Sequence, residues 1–267
     1  GTPDTVRQDL VEVRPTFMAA VPRVLEKSWE RLQAAGDELT GFKHGLYQRA
    51  LKFAREYDVT APKAGFGGFE KSLLDKLVYS KWREALGGRL RMIIVGGAAQ
   101  RAELANILGA AGIDVLLGFG LTETSPVMSF NRPGRNRPGT VGEAIVGTEM
   151  GISEDGEILA RGPHVMLGYF NRPEETAEVI DADGWFHTGD LGRIDDDGYL
   201  SVTGRLKYLF KLSTGKYVMP QPLTDRLEAE PLIDTAIVVG SGQKYCTALV
   251  FLSTDALMEH YGRADAS

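Results

Sequence analysis

The sequence predicts a mixed α/β fold: a parallel-sheet α/β portion, then a small antiparallel β sheet or barrel, then the start of a small α+β domain. Three observations predict it. Residues 90–118 read as strand-like LRMIIV, two glycines, helix-like QRAELANILGAAG and strand-like IDVLLG, the pattern of a βαβ unit. Residues 127–203 hold short β-like runs separated by EDGE, NRPEE, DADGW and DDDGY, each a turn signal. After Gly204 and Arg205 come YLFKL, a turn at Gly215, the helix-like PLTDRLEAEP, and the strand-like TAIVVG and CTALVFL.

Taken in order, the chain opens GTPDTVRQDL, without an initiator Met, so a piece of a longer protein is expected. From Pro22, VPRVLEKSWERLQAAG predicts a helix. Proline suits a first helical position, Val24, Leu25, Trp29 and Leu32 recur at helical spacing, and Gly36 is a natural stop. Further helical patterns cover 46–57 and 69–86. The βαβ unit implies a crevice at the carboxyl ends of its strands, with Gly96-Gly97 and residues 118–123 on that edge. Three segments follow: 1–126 (α/β), 127–203 (β-rich) and 204–267 (α+β, after a hinge). The tripeptide NRP begins at 131, 136 and 171 with no fixed period, and reads as turn chemistry.

Composition narrows the function. With 267 residues the chain can bury a sizeable core. Lys plus Arg is 30 and Asp plus Glu is 36, giving a net charge of −6, which argues against nucleic acid as a partner. The single cysteine, Cys246, fits a reducing compartment, and a cytoplasmic location is expected. No apolar run approaches the roughly 18 residues of a membrane span.

The stretch GFGLTETSP, 118–126, holds more chemistry than a strand-to-loop turn requires. Thr122, Glu123 and Thr124 place two short hydroxyls around a carboxylate, a combination suited to phosphate or a metal ion. No G-x-x-x-x-G-K-[ST], G-x-G-x-x-G, H-E-x-x-H, G-x-S-x-G or paired C-x-x-C motif occurs, and the four histidines are scattered. What remains is an ordered set of glycine-anchored motifs: GGAAQ, GFGLTET, GEILARGPHVMLGYFNRPEET, GWFHTGDLG and GRLKYLFKLSTGK.

In this order and spacing the motifs resemble the core motifs of the AMP-forming acyl-CoA synthetases, within the adenylate-forming superfamily. AVPRVLEKSWERL, ALGGRLRMIIVGGA and GLTETSP are most similar to the long-chain fatty acid–CoA ligase branch. The resemblance covers residues 13–253. It implies activation of a fatty acid by ATP to an acyl-adenylate, release of pyrophosphate, and transfer of the acyl group to coenzyme A. It also implies residue roles. Thr122 bonds an α-phosphate oxygen and Glu123 holds Mg²⁺. Phe119, where relatives more often have Tyr, stacks on adenine beside Gly120, and Gly96, Gly97 and Ala98 line the other face of the base. Asp190 accepts the ribose hydroxyls, Arg205 approaches ribose or phosphate, and Lys207 is the hinge. Departures are Tyr208 in place of an acidic residue and AAQ after Gly97.

The Ser/Thr/Gly-rich phosphate loop and the C-terminal catalytic lysine of such enzymes have no counterpart here, so the expectation is a fragment that does not turn over alone. Three alternatives stay open: a medium-chain, aryl or bile-acid ligase, an enzyme that loads a carrier protein, and a non-catalytic binding relative. The amphiphilic substrate leaves room for peripheral membrane contact.

Overall fold

Apolar runs that lie side by side form the first sheet. The computed structural model describes residues 5–61, 66–96, 102–230 and 232–261. Strands β1 (Phe17–Ala20), β2 (Met92–Val95), β3 (Asp114–Gly120), β4 (Val127–Phe130) and β5 (Glu143–Ala144) pair in that order. β1, β2 and β3 run parallel, with Ile93 opposite both Met18 and Val115. β4 and β5, beyond the change of texture at residue 126, are antiparallel additions to this same sheet.

Five helices precede or interrupt these strands: α1 (Val6–Val13), α2 (Pro22–Asp37), α3 (Gly41–Arg55), α4 (Phe66–Leu74) and α5 (Ser80–Ala85). A sixth, α6 (Ala102–Ala110), makes the crossover from β2 to β3 and buries Leu104, Ile107 and Leu108. Leu104 and Leu108 pack with Ile93, Val95 and Val115 in one core cluster, while Ile107 faces a second. At roughly 25 cal/mol per Å² of apolar surface, such burial is the main force holding the unit together. A second cluster joins α3 to the 74–82 segment, where Trp29 meets Trp82 edge-on at 5.2 Å.

Two helical expectations are corrected. Helix α2 starts at Pro22 as expected, yet runs through Gly36 to Asp37. Gly36 is there for space: a Cβ would stand 2.1 Å from the Tyr47 Cζ atom, and Tyr47 is buried. The pattern across 69–86 is not one helix, because a π-helical turn, Asp75–Tyr79, separates α4 from α5. Arg83 spans that turn, donating to both Asp75 carboxylate oxygens at 2.6 and 3.0 Å. The Tyr79 hydroxyl donates to the Ala50 carbonyl at 2.9 Å, and burial pushes its pKa well above the usual phenol range. Burial also raises Tyr47, to about 12, so both remain neutral donors.

A four-stranded sheet has the order β6 (Glu149–Ile152), β7 (Glu157–Arg161), β8 (Phe186–Ile194), β9 (Leu200–Arg205). The short helix α7 (Pro173–Val179) lies between β7 and β8 in sequence. Later come a small hairpin, β10 (Phe210–Lys211) with β11 (Tyr217–Val218), and helix α8 (Pro220–Leu227). The antiparallel pair β12 (Ile233–Val239) and β13 (Thr247–Leu252) and helix α9 (Thr254–Tyr261) follow. No described helix is long and apolar enough to cross a membrane.

The chain divides into two compact units. One is Gly1–Met150, Ala160–Glu178 and Ile194–Ser201; the other is Gly151–Leu159, Val179–Arg193 and Val202–Ser267. Within the first, Arg137 clasps the turn before β9: it donates to Asp195 at 2.6 Å and Asp197 at 2.7 Å, with its guanidinium 4.0 Å from the Tyr199 ring centre.

Gly36→Ala tests the packing of α2. The added methyl overpacks Tyr47, a cost of about 1–3 kcal/mol, against about 1 kcal/mol gained from better helix propensity. Urea denaturation is expected to show net destabilisation, despite alanine being the better helix former.

Candidate active site

The first unit presents its chemistry at the carboxyl end of β3. The strand ends Gly118-Phe119-Gly120, and Gly120 is obligatory: a Cβ would stand 1.7 Å from the Pro126 carbonyl oxygen. Phe119 is half-buried and pairs with Ser129 of β4. Leu121 is extended, Thr122–Thr124 form one 3-10 turn, and Ser125 takes a left-handed conformation at φ 57°. Thr124 is fully buried. Its hydroxyl accepts from the Leu121 amide at 2.9 Å and donates to the Pro126 carbonyl at 2.7 Å, closing the loop on itself. Thr124 is therefore structural, which leaves the exposed Thr122 and the half-buried Glu123 for other work.

Glu123 is held twice. Its carbonyl accepts from the Met166 amide at 2.8 Å, and its Oε1 accepts from the Tyr169 hydroxyl at 3.0 Å. Burial, and then the Glu123 carboxylate, raise the Tyr169 pKa, so the hydroxyl stays protonated and donating. Gly96, at the end of β2, lies beside Gly118: a Cβ on it would rest 4.0 Å from the Gly118 carbonyl oxygen, an ordinary contact. Gly97 and Ala98 fall outside the described residues.

The second unit holds an acid–base pair. In β8, Gly189 takes φ 70° within the run Thr188-Gly189-Asp190, a conformation glycine adopts without strain. The Thr188 hydroxyl donates to the Ile158 carbonyl at 2.7 Å and accepts from the Asp190 amide at 3.1 Å. Glu157 clamps the same turn: Oε1 accepts from the Gly189 amide and Oε2 pairs with His187 Nδ1, each at 2.8 Å. Asp190 is thus no surface turn residue; it lies within a strand, 3% exposed. Its partner is Arg205, at the end of β9, whose Nε donates to Oδ1 at 2.6 Å. Burial raises the Asp190 pKa above the usual carboxylate range, with Arg205 and more distant Lys207 opposing. Lys207 sits in a 3-10 turn, Leu206–Tyr208, its ammonium 5.1 Å from the Tyr208 ring centre.

Among the described residues no group of three or more His, Cys, Asp or Glu side chains could hold a metal ion. A hard carboxylate oxygen suits a hard divalent cation such as Mg²⁺, and Glu123 Oε2 accepts no hydrogen bond from a described residue.

Sequence reasoning missed Tyr169, Glu157 and the structural part of Thr124. Tyr169 and Glu157 both lie in GEILARGPHVMLGYFNRPEET, a motif that carried the resemblance without an assigned role.

Residues 2–170 match the family profile of the AMP-binding enzymes, and 209–264 match the C-terminal domain of AMP-binding enzymes. The chain belongs to the AMP-binding enzyme family. It is 36% identical over 250 residues to the long-chain-fatty-acid–CoA ligase FadD15 of Mycobacterium bovis, covering 92% of this chain and 41% of that protein. It is 34% identical over 261 residues to the long-chain-fatty-acid–CoA ligase ACSBG1 of Bos taurus, covering 94% and 36%. An ATP-bound RpMatB–BxBclM chimera aligns over 96% of this chain and 44% of its own, with a TM-score of 0.64 and 25% identity. The chain spans less than half the length of these curated relatives.

Arg205→Met tests the buried pair. Asp190 is protonated in both folded and unfolded states at low pH; as pH rises through its raised folded value, its ionised form weighs against folding, and Arg205 offsets that. Removing Arg205 is expected to cost about 1–3 kcal/mol near neutral pH, kept modest by the guanidinium's exposure. The loss should shrink in mildly acidic buffer, as thermal melts of both proteins at the two pH values would show.

Proposed function

We propose that the protein is an AMP-forming ligase that activates a long-chain fatty acid with ATP and passes the acyl group to coenzyme A. The observation that carries this reading is the GLTET loop: a buried Thr124 pins it, and it presents an exposed hydroxyl and a half-buried carboxylate at the end of a parallel strand. Long-chain ligases among the relatives support the choice of acid.

The first half-reaction sets a carboxylate against the α-phosphate, anion against anion. It needs neutralised charge and in-line positioning more than a covalent enzyme intermediate. Thr122 would donate its hydroxyl to an α-phosphate oxygen. Glu123 would hold Mg²⁺, which supplies charge neutralisation when bound. Phe119 would offer a ring face to adenine, with the glycine backbone at Gly96 and Gly120 leaving room for the base, and Gly97 and Ala98 continuing that lining. Asp190 would accept the ribose hydroxyls through the oxygen that Arg205 leaves free, while Arg205 keeps the buried carboxylate ionised. The acyl-adenylate forms as the carboxylate oxygen bonds to phosphorus and pyrophosphate leaves. In the second half-reaction the coenzyme A thiolate attacks the acyl carbon and AMP departs. Lys207 would mark the hinge about which the region after 204 turns between these steps. A cytoplasmic location and peripheral access to membrane-borne fatty acid accompany this reading.

ATP–pyrophosphate exchange driven by palmitate or oleate tests it in the full-length protein. Glu123→Gln is expected to lower exchange by about 100-fold or more, the scale of losing one preorganised charge contact. Exchange at the unmodified rate would remove Glu123 from the mechanism. A protein that exchanges only with short or aromatic acids would move the substrate assignment.

A further inference from the structure

Residues 166–170 are fastened to the GLTET loop at Glu123, once by backbone and once by side chain. The Met166 amide holds the Glu123 carbonyl at 2.8 Å, and the Tyr169 hydroxyl holds Oε1 at 3.0 Å. Tyr169 is itself fixed from below. Its amide donates to Thr176 Oγ1 at 2.9 Å, and that hydroxyl donates to the Arg172 carbonyl at 2.7 Å. Gly168 allows this closeness, since a Cβ there would stand 2.8 Å from the Thr176 methyl. The tyrosine thus stands on a braced turn that runs into α7.

An unbraced glutamate samples several rotamers, and ordering it on binding a cation has an entropic cost. A hydrogen bond to one oxygen removes most of that freedom in advance and leaves the other oxygen available. Among the described residues, none donates to Oε2. We propose that Tyr169 is a positioning residue for the metal: it holds the Glu123 carboxylate so that Oε2 meets the Mg²⁺ of the bound nucleotide. This rests on the reading of Glu123 as the cation-binding carboxylate.

The test separates metal binding from nucleotide binding in the full-length protein. Mn²⁺ affinity is measured by electron paramagnetic resonance with adenylyl-imidodiphosphate present, and ATP affinity is measured calorimetrically in EDTA. Tyr169→Phe is expected to weaken Mn²⁺ binding about ten-fold, the scale for losing an outer-shell partner, while ATP binding in EDTA stays unchanged. The double variant Tyr169→Phe with Glu123→Gln should bind Mn²⁺ no more weakly than Glu123→Gln alone, because the hydroxyl acts only through the carboxylate. Unchanged Mn²⁺ affinity in Tyr169→Phe would overturn the proposal. So would equal losses with and without metal, which would mark Tyr169 as a structural staple. If Glu123→Gln keeps full Mn²⁺ affinity, the reading of Glu123 itself fails, and this inference falls with it.

Discussion

The hydroxyl of Thr124 decides where the chemistry of the first unit can be. It is buried, and its bonds to Leu121 and Pro126 close a loop whose backbone groups would otherwise need water. With the loop closed, Gly120 must pass within van der Waals reach of Pro126, so no side chain fits there. Thr122 and Glu123 project from the one turn left over. Each constraint narrows the next, and a valine at 124 would keep the shape of the side chain while taking this partner from the Leu121 amide and the Pro126 carbonyl.

The second unit solves a different problem with the same economy of groups. A carboxylate taken almost fully out of water favours its neutral form, and Asp190 is only 3% exposed. Arg205 supplies the compensating charge at 2.6 Å, and Glu157 fixes the glycine turn that aims Asp190. Glu157 also engages His187, so one side chain serves the turn on both sides of Thr188.

Much of this was legible in the residues. The parallel strands β2 and β3 read as apolar runs because neither presents a fully exposed face, and the crossover helix shows its own period. The order of the five motifs points to the family. What stayed hidden had physical causes. β1 is four residues long and alternates exposed with half-buried positions, so its signal is too short to see. Gly36 resembles a helix stop but answers to Tyr47, eleven positions onward, and the π turn leaves no mark in a 3.6-residue pattern. The bond from Tyr169 to Glu123 joins residues 46 apart, and that from Gly189 to Glu157 joins residues 32 apart. Local pattern cannot report such pairs.

The three NRP tripeptides show how far context overrides wording. Asn131 is buried and ties Thr140 to Arg137, whereas the Arg172 guanidinium forms an exposed pair with Glu175. Arg137 in the middle copy engages Asp195, Asp197 and the Tyr199 ring together. A lysine, with its single ammonium, could not reproduce that planar fork. Because one cation serves two acids and an aromatic face, the fastening has built-in redundancy. Loss of either acid leaves the other still engaged, so this corner should loosen by degrees and not spring open at a single change.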